Sequence, residues 1–528
     1  MFQLLDPRHL YPSRRSDVYA PNVVATSQPL ATQAGIQMLR TGGNAVDAVL
    51  ASAIALTVVE PVSNGIGSDA FAIVWDGKQL QGLNGSGRSP AAWTPDRFHG
   101  REAMPERGWD CVTVPGAVDA WVKLSERYGK LPFEQLFDPA IQYASSGFAV
   151  TPIIADAWSS AAETYRDYPE FCRTFLPGGQ SPNAGDHFRC PAQAETLAEI
   201  AESRGESFYR GRLAGCIAAA SGLDGGAMTQ DDLATHESLW VDCISQDFGD
   251  LCIHEIPPNG QGLAALIALG ILDRLQIDQY PPDSADSVHL QIEAMKVGFA
   301  EAHRHVADPA AMEVKVKTLL DPDRLARRAA AIKVNQADFP VSQVSADRGT
   351  VYLCAADQSG VMVSFIQSGY DNFGSGIVIP DTGISLQSRG KGFTLDSNHP
   401  NQVDGRKRPF HTIIPAFATR AGQPLLAFGV MGKHMQPQGH VQVLIRMFYQ
   451  GRSPQQALDA PRWYVAEDFS ICLEPDLDHL KSELSARGHR FMTPSSSGLF
   501  GGGQIILRNT DGYIAGSDPR KDGHAAGF

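Results

Sequence analysis

Cysteine is scarce in this sequence, and its distribution follows no disulfide or metal-binding pattern. The 528 residues contain eight cysteines, with no Cys-x-x-Cys pair and no group of cysteines and histidines at ligand spacing. In a chain of this length, such scatter argues against a disulfide framework and against a structural zinc site. We therefore expect reduced cysteines in the core, no metal site and no cofactor.

Long hydrophobic runs and an excess of positive charge are also missing. The most apolar stretch, residues 48–59, is too short to cross a membrane as a helix. Asp6 and Pro7 stand where a secretory signal would carry its apolar core. A formal net charge of −14 disfavours binding to nucleic acid or to anionic membranes. The expected location is the cytoplasm, with neither nucleic acid nor a membrane as a partner.

What the sequence does contain is the composition and patterning of a large folded protein. Its 43% hydrophobic and 19% charged residues are typical of globular chains. Helical signals frame residues 45–60, with Asn44 as a cap and Pro61 as a stop, and a second long helix is predicted within residues 284–308. Short β-branched runs separated by glycine-rich turns follow residue 350, and helices return near the end. This order favours sheet layers covered by helix layers.

The dipeptide Gly349–Thr350 stands where the pattern changes, after an aperiodic stretch, residues 333–349, that predicts an exposed strap. A threonine hydroxyl is a poor nucleophile without a base, and the α-amine of an N-terminal threonine, with an unperturbed pKa of about 7.7 to 8.0, is such a base. An internal threonine gains that amine only when the preceding peptide bond is cut, and a preceding glycine lets the hydroxyl approach the carbonyl. Thr350 is equally consistent with an ordinary strand opener, so local chemistry proposes the site without deciding it.

Several separate motifs, in a consistent order, cover nearly the whole chain. They are LRTGGNAVDAVLASAIALTVVEPVSNGIG near the start, VTVPGAVDAW, PPNGQG at 257–262, GTVYLCAADQSG, FGSGI at 373–377, GRKRPFHTIIP at 405–415 and GVMGKHMQPQGH. With these motifs the sequence resembles the gamma-glutamyltransferase family of N-terminal nucleophile hydrolases. The resemblance implies an α+β fold, a four-layer αββα sandwich, in a precursor that cuts itself between Gly349 and Thr350. The fragments, residues 1–349 and 350–528, would stay together as one intertwined heterodimer, with a dimer of heterodimers as a further option.

The same resemblance implies roles for individual residues. Thr350 matches the nucleophile, and Ser368 matches a hydroxyl residue that hydrogen-bonds it. Gly432 and the backbone N–H of Lys433 match the loop that stabilises the oxyanion. Arg88 matches the arginine that binds the substrate carboxylate as a bidentate fork. The plainer interpretations are a strand serine, a tight turn that needs glycine, and a surface arginine.

Several positions depart from the family pattern, and the departures concern substrate recognition. In the family, a carboxylate side chain holds the ammonium group of the substrate, and the corresponding residue in this chain is Gly392. An amide residue is replaced by Arg389, an asparagine by Tyr370, and a serine pair by His411 and Thr412. These changes favour an anionic substrate without an amine, since an unpaired ammonium beside an arginine would be repelled. We therefore expect hydrolysis of a small carboxylate-bearing amide, above all oxamate, to its acid and ammonia through an ester on the nucleophile, a step suited to the salvage of purine-derived nitrogen.

Two other functions fit the sequence. A cytoplasmic gamma-glutamyl or glutathione hydrolase or transferase of the same family would need another way to hold the ammonium. An unprocessed, non-catalytic binding protein would be consistent with Val351, which replaces a second family threonine, and with Lys433. The histidines His434 and His440 have no third ligand at suitable spacing, and we expect them to pack rather than to bind metal. The stretch GIGSDAF, residues 65–71, follows a helix, so it predicts backbone packing rather than a dinucleotide site.

Overall fold

A computed structural model describes residues 15–339, 349–493 and 498–528 of the chain, which is continuous from Gly349 into Thr350. Asp6 and Pro7, which argued against a secretory signal, lie outside the described residues. Most of the predicted strap, residues 333–349, also lies outside them. All eight cysteines are within the described residues, and each is a free thiol. Over the same residues, no helix is both long and apolar enough to span a bilayer.

Strands and helices alternate along the described parts of the chain. The strands are β1 Val18–Ala20, β2 Val23–Thr26, β3 Asp69–Trp75, β4 Leu80–Gly85, β5 Phe148–Ala149, β6 His187–Phe188, β7 Leu239–Val241, β8 Ile244–Phe248, β9 Leu251–Glu255, β10 Val351–Ala356, β11 Met362–Ser368, β12 Val378–Ile379, β13 Ile384–Ser385, β14 Ala416–Arg420, β15 Gln423–Met431, β16 Trp463–Val465, β17 Ile471–Leu473, β18 Gly502–Asn509, β19 Gly512–Ser517 and β20 His524–Gly527. The helices are α1 Pro29–Arg40, α2 Ala45–Val59, α3 Ala117–Tyr128, α4 Asp138–Ser146, α5 Pro152–Thr164, α6 Pro169–Phe175, α7 Pro191–Ser203, α8 Glu206–Tyr209, α9 Arg212–Leu223, α10 Gln230–Ala234, α11 Gly262–Arg274, α12 Ala285–His305, α13 Val316–Leu319, α14 Pro322–Ala331, α15 Met435–Leu444, α16 Pro454–Asp459 and α17 Lys481–Ala486.

Two seven-stranded antiparallel sheets form the centre of the molecule. The first has the order β1-β19-β18-β15-β14-β9-β8, and the second has the order β20-β2-β10-β11-β3-β4-β7. Their facing sides meet in a common apolar layer that includes Phe71, Tyr352 and Ile366 from the second sheet and Phe417 and Ile506 from the first. This sheet-on-sheet contact supplies the two inner layers of a sandwich.

Helices cover the outer face of each sheet. Helices α1 to α4 and α7 share a hydrophobic core with the second sheet, while α11, α12 and α15 share one with the first. The predicted four-layer αββα sandwich of the α+β class is therefore confirmed. Helix α2 is buried along its whole length, and Asn44 and Asp47 close its N-terminus as a capping box, which confirms the predicted buried helix before Pro61.

The nucleophile segment lies in the middle of the second sheet. Strands β10 and β11 form the predicted hairpin, with Val351 opposite Gln367, and β11 pairs on its other side with β3, so that Ser368 faces Asp69. Because both strands have neighbours on each side, their ends are held by the sheet rather than by a loop. A residue directly before β10 is thereby fixed next to the last residue of β11.

Two local structures differ from those predicted from the sequence. The β-branched run predicted over 408–419 forms a strand only from Ala416 onward, in β14. Before that residue the backbone is irregular, because the N–H of His411 and the N–H of Ile414 donate to the Asn259 carbonyl and to Gln436 Oε1 instead of to a neighbouring strand. The segment ending at His440, predicted as a loop, is helical from Met435 onward. Pro437 lies in the first turn of α15, where proline removes no intrahelical hydrogen bond.

Candidate active site

Thr350 and Ser368 meet where the central hairpin ends. Thr350 Oγ1 lies 3.1 Å from Ser368 Oγ and donates a hydrogen bond of 2.8 Å to the carbonyl oxygen of Gly349. Ser368 Oγ donates to the same carbonyl oxygen at 2.6 Å. Both side chains are completely buried. Two hydroxyl groups therefore converge on the carbonyl group of the peptide bond at which cleavage is predicted.

Gly349 has a structural reason to be glycine. Its φ of +145° is a conformation that L-residues with a side chain rarely adopt. A Cβ added there would overlap the backbone carbonyl group of Asp371. The glycine thus lets two backbone segments approach each other beside the nucleophile.

Arg389 joins this cluster from a short 3₁₀ turn, Arg389–Gly392. Its Nη2 donates to Ser368 Oγ at 2.9 Å and its Nη1 donates to Thr412 Oγ1 at 2.8 Å. The guanidinium lies 4.2 Å from the centre of the Tyr370 ring. The side chain is completely buried, and this burial lowers the pKa of Arg389 to about 10, which leaves the group positively charged at neutral pH.

Asp69 and His411 form a buried pair beside Arg389. His411 Nε2 lies 3.1 Å from Asp69 Oδ2, and the other carboxylate oxygen accepts a hydrogen bond from Gly116 N. Burial raises the pKa of Asp69 to about 7, although the charge of Arg389 acts in the opposite direction. Burial, and then the charge of Arg389, lowers the pKa of His411 well below its ordinary value. The imidazole is therefore neutral and positions Asp69.

The predicted oxyanion turn connects β15 to α15. Gly432 has a φ of +129° and Lys433 a φ of +49°, so the chain turns sharply before the helix begins. Lys433 Nζ forms an ion pair with Asp371 and lies 4.3 Å from the centre of the Tyr370 ring. Tyr370 therefore contacts the cations of both Lys433 and Arg389, and its ring links the turn to the nucleophile hairpin.

The motif PPNGQG, to which the sequence assigned no chemistry, contacts this turn. Gln261 Nε2 donates to the carbonyl oxygens of Thr412 and Lys433 at 2.6 and 2.8 Å, and Gln261 Oε1 lies 3.1 Å from His434 Nδ1. Gln261 and Asp69 are the positioning residues that sequence reasoning missed. Gln261 lies in the motif PPNGQG, and Asp69 lies in the stretch GIGSDAF that was expected to serve backbone packing; those locations were the available signal.

Arg88 belongs to a different set of contacts. Its Nη1 pairs with Asp308 at 3.0 Å and donates to the carbonyl oxygen of Arg406 at 2.8 Å, and its side chain is 44% exposed. Gly392 is also constrained, since a Cβ there would overlap the Phe410 carbonyl oxygen. The position of the expected ammonium-binding carboxylate thus has no room for a side chain.

A second group of titratable residues lies away from this cluster. His289, Glu293 and His489 place one ligand atom each within 4.8 Å of one another. In this structure His289 Nδ1 lies 2.7 Å from His489 Nε2, and Glu293 pairs with Lys296 at 2.8 Å. The group is therefore arranged as a histidine hydrogen bond next to a buried ion pair. Elsewhere His440 Nδ1 lies 2.7 Å from Glu255 Oε1, and both side chains are buried.

The αββα sandwich with a threonine before a central strand defines the N-terminal nucleophile hydrolase fold. Residues 31–528 match the family model described as gamma-glutamyltranspeptidase. The chain belongs to this family, which confirms the resemblance drawn from the motifs.

Named relatives cover the chain nearly end to end. It is 34% identical to the glutathione hydrolase-like YwrD proenzyme of Bacillus subtilis, over 97% of this chain and 100% of the relative. It is also 34% identical to the oxamate amidohydrolase proenzyme of Klebsiella pneumoniae, over 97% and 99% of the two chains. Among solved structures, the cephalosporin acylase from Bacillus halodurans superposes with a TM-score of 0.95 at 46% identity, over 100% of this chain and 99% of that one.

Proposed function

We propose that the protein is a self-cleaving amidohydrolase for an acyl group that carries a carboxylate next to the scissile carbonyl and no ammonium. The substrate that fits this description best is oxamate, which would give oxalate and ammonia. The observation that carries the proposal is the series of contacts from Arg389 through Ser368 to Thr350.

The distance from the Arg389 guanidinium to the Thr350 hydroxyl limits the size of the substrate. Arg389 Nη2 lies 2.9 Å from Ser368 Oγ, which lies 3.1 Å from Thr350 Oγ1. The guanidinium is thus about 6 Å or less from the nucleophile, a distance that suits a carboxylate one bond away from the attacked carbon. Arg389 Nε is buried without a hydrogen-bond partner among the described residues, so the group retains a donor for a ligand.

The charges around the site favour an anion. Asp371, the acidic residue beside Tyr370, is already paired with Lys433 and lies 3.6 Å from Lys391. No side chain fits at Gly392 to hold an ammonium. An α-amino substrate would therefore bring a positive charge toward Arg389 without compensation, which disfavours gamma-glutamyl compounds.

The proposed reaction uses Thr350 after cleavage has freed its α-amine. The amine accepts the hydroxyl proton as Oγ1 attacks the amide carbon, and backbone N–H groups at Gly432 and Lys433 stabilise the oxyanion. The proton then passes to the departing ammonia, and water hydrolyses the ester on Thr350 to release the dicarboxylate.

We also propose that residues 1–349 and 350–528 remain associated after cleavage. Both sheets mix strands from the two sides of Gly349, since β10 and β11 lie between β2 and β3, and β14 lies between β9 and β15. Separating the fragments would expose the interiors of both sheets.

The test is ammonia release by the purified protein from oxamate and from glutamine, with glutamate release from glutathione measured in parallel. We expect ammonia from oxamate, little product from the gamma-glutamyl compounds, and a fragment whose N-terminal sequence is TVYL. Glutamate release with oxamate inert, or a chain that stays whole, would contradict the proposal.

Deacylation of a cephalosporin-type amide is a second candidate, supported by the 46% identity to the cephalosporin acylase. For this candidate, Arg88, which is 44% exposed and which the family resemblance assigns to the substrate carboxylate, would bind the carboxylate of a longer acyl group. Release of the acyl group from such an amide, with oxamate inert, would favour this candidate.

A further inference from the structure

The hydroxyl group of Ser368 has all its hydrogen-bonding capacity in use. A serine hydroxyl offers one proton and two lone pairs. Ser368 Oγ accepts from Arg389 Nη2 and from the Tyr370 backbone N–H, both at 2.9 Å. Its proton therefore points to the Gly349 carbonyl oxygen, at 2.6 Å, rather than to Thr350 Oγ1 at 3.1 Å.

The carbonyl that receives this proton is the one that self-cleavage must activate. In the cleavage step Thr350 Oγ1 bonds to the Gly349 carbonyl carbon, the peptide C–N bond breaks, and the Thr350 nitrogen takes up the hydroxyl proton. Water then hydrolyses the ester to the Gly349 carboxylate and the Thr350 hydroxyl. During the attack, negative charge develops on the Gly349 oxygen, where a fixed donor in a buried site lowers the barrier.

We propose that Arg389 is a positioning residue for self-cleavage, because it fixes Ser368 as the hydrogen-bond donor to the Gly349 carbonyl oxygen. This inference rests on the proposed function, since cleavage before Thr350 is itself part of that proposal. A guanidinium that donates to Ser368 Oγ also polarises the O–H group and strengthens the bond that it makes.

Arg389 is held in the orientation that this role requires. Its Nη1 donates to Thr412 Oγ1, and its guanidinium lies against the Tyr370 ring, so the Nη2 group cannot rotate away from Ser368 without losing both contacts. After cleavage the new Gly349 carboxylate forms beside the same pair. The first anion next to Ser368 and Arg389 is thus the Gly349 carboxylate that self-cleavage forms. In the proposed function, the substrate carboxylate binds at the same position afterwards.

The experiment follows cleavage of freshly synthesised full-length chains on denaturing gels over time. Wild type is compared with Arg389→Met, Arg389→Gln and Arg389→Lys, and the matched control is Arg420→Met, at an exposed arginine paired with Asp250. We expect cleavage to be about 10- to 100-fold slower in Arg389→Met, intermediate in Arg389→Lys, and unchanged in Arg420→Met. Thermal melting of each chain separates loss of fold from loss of rate, and Arg389→Gln carries the test if the Met variant unfolds.

A double-mutant cycle distinguishes this role from a general structural one. If Arg389 acts through Ser368, then Ser368→Ala with Arg389→Met should cleave within about twofold of Ser368→Ala alone. Additive slowing would overturn the inference, as would wild-type rates in the folded Arg389 variants. These outcomes leave the proposed function intact, whereas a wild-type chain that never cleaves contradicts the proposed function itself.

Discussion

Arg389 and Arg88 were both expected to bind the substrate carboxylate, and the structure gives them opposite surroundings. Arg389 is fully buried and donates to two hydroxyl groups, one of which contacts the nucleophile. Arg88 is 44% exposed and paired with Asp308. An arginine whose hydrogen bonds go to neutral hydroxyls keeps its charge for a ligand, whereas one paired with a carboxylate is already compensated. The comparison supports the proposal that Arg389, rather than Arg88, binds the carboxylate of a short substrate.

The largest effect is expected at Thr350, the proposed nucleophile. Thr350→Ala should leave the chain whole and reduce ammonia release from oxamate by at least about 1,000-fold, because both self-cleavage and hydrolysis need the hydroxyl. A denaturing gel and an ammonia assay measure the two effects. Normal cleavage in this variant would contradict the assignment of the nucleophile, and with it the relevance of either arginine.

A smaller effect should separate the two arginines directly. In cleaved enzyme, Arg389→Lys should lower kcat/KM for oxamate by about 10- to 100-fold, because lysine cannot reproduce the two fixed donors of the guanidinium. The matched change Arg88→Lys should stay within about threefold of the wild type. Steady-state kinetics on the two variants give the comparison. A reversed order would assign the carboxylate to Arg88 and favour a longer acyl group.

The smallest effect concerns the charge that Arg389 presents. Asp69, whose pKa is raised to about 7, loses its proton as the pH rises through that value. The resulting anion offsets part of the Arg389 charge, so the inhibition constant of oxalate should increase about three- to tenfold between pH 6 and pH 8 in the wild type. The Asp69→Asn variant should show a smaller increase, because only the Thr350 α-amine, with an unperturbed pKa of about 7.7 to 8.0, still loses charge beside the anion in that range. Equal profiles in the two proteins would show that Asp69 does not modulate the anion site.

The same carboxyl group has a consequence for stability. Its pKa is higher in the folded protein than its ordinary value of 3.8, so the folded state holds the proton more tightly than the unfolded chain does. The contribution of Asp69 to stability is therefore full below pH 4 and is lost as the pH rises toward 7. Asp69→Asn should lack this loss in melting experiments across that range.

Much of the fold followed from local patterns in the sequence. The cap at Asn44 and the stop at Pro61 frame helix α2, and the β-branched run after Thr350 forms the predicted hairpin. These signals act between residues close in the chain, where hydrogen bonding and side-chain periodicity are decided. The motif that ends at His440 was expected to be a loop from its resemblance to the family, yet it is helical from Met435, and Pro437 lies in the first helical turn, where proline is tolerated.

The sequence alone determined the family, the candidate nucleophile and the layered fold, because these depend on motif order and on local periodicity. Only the tertiary structure shows that Arg389 is the arginine beside the nucleophile and that Asp69 is the carboxyl group near Arg389. It also explains why Gly392 has no room for an acidic side chain. Arg389 meets Ser368 across 21 residues and His411 meets Asp69 across 342. Contacts over such separations, and the burial that shifts the pKa values of these groups, arise from how the two sheets pack together and cannot be deduced from neighbouring residues.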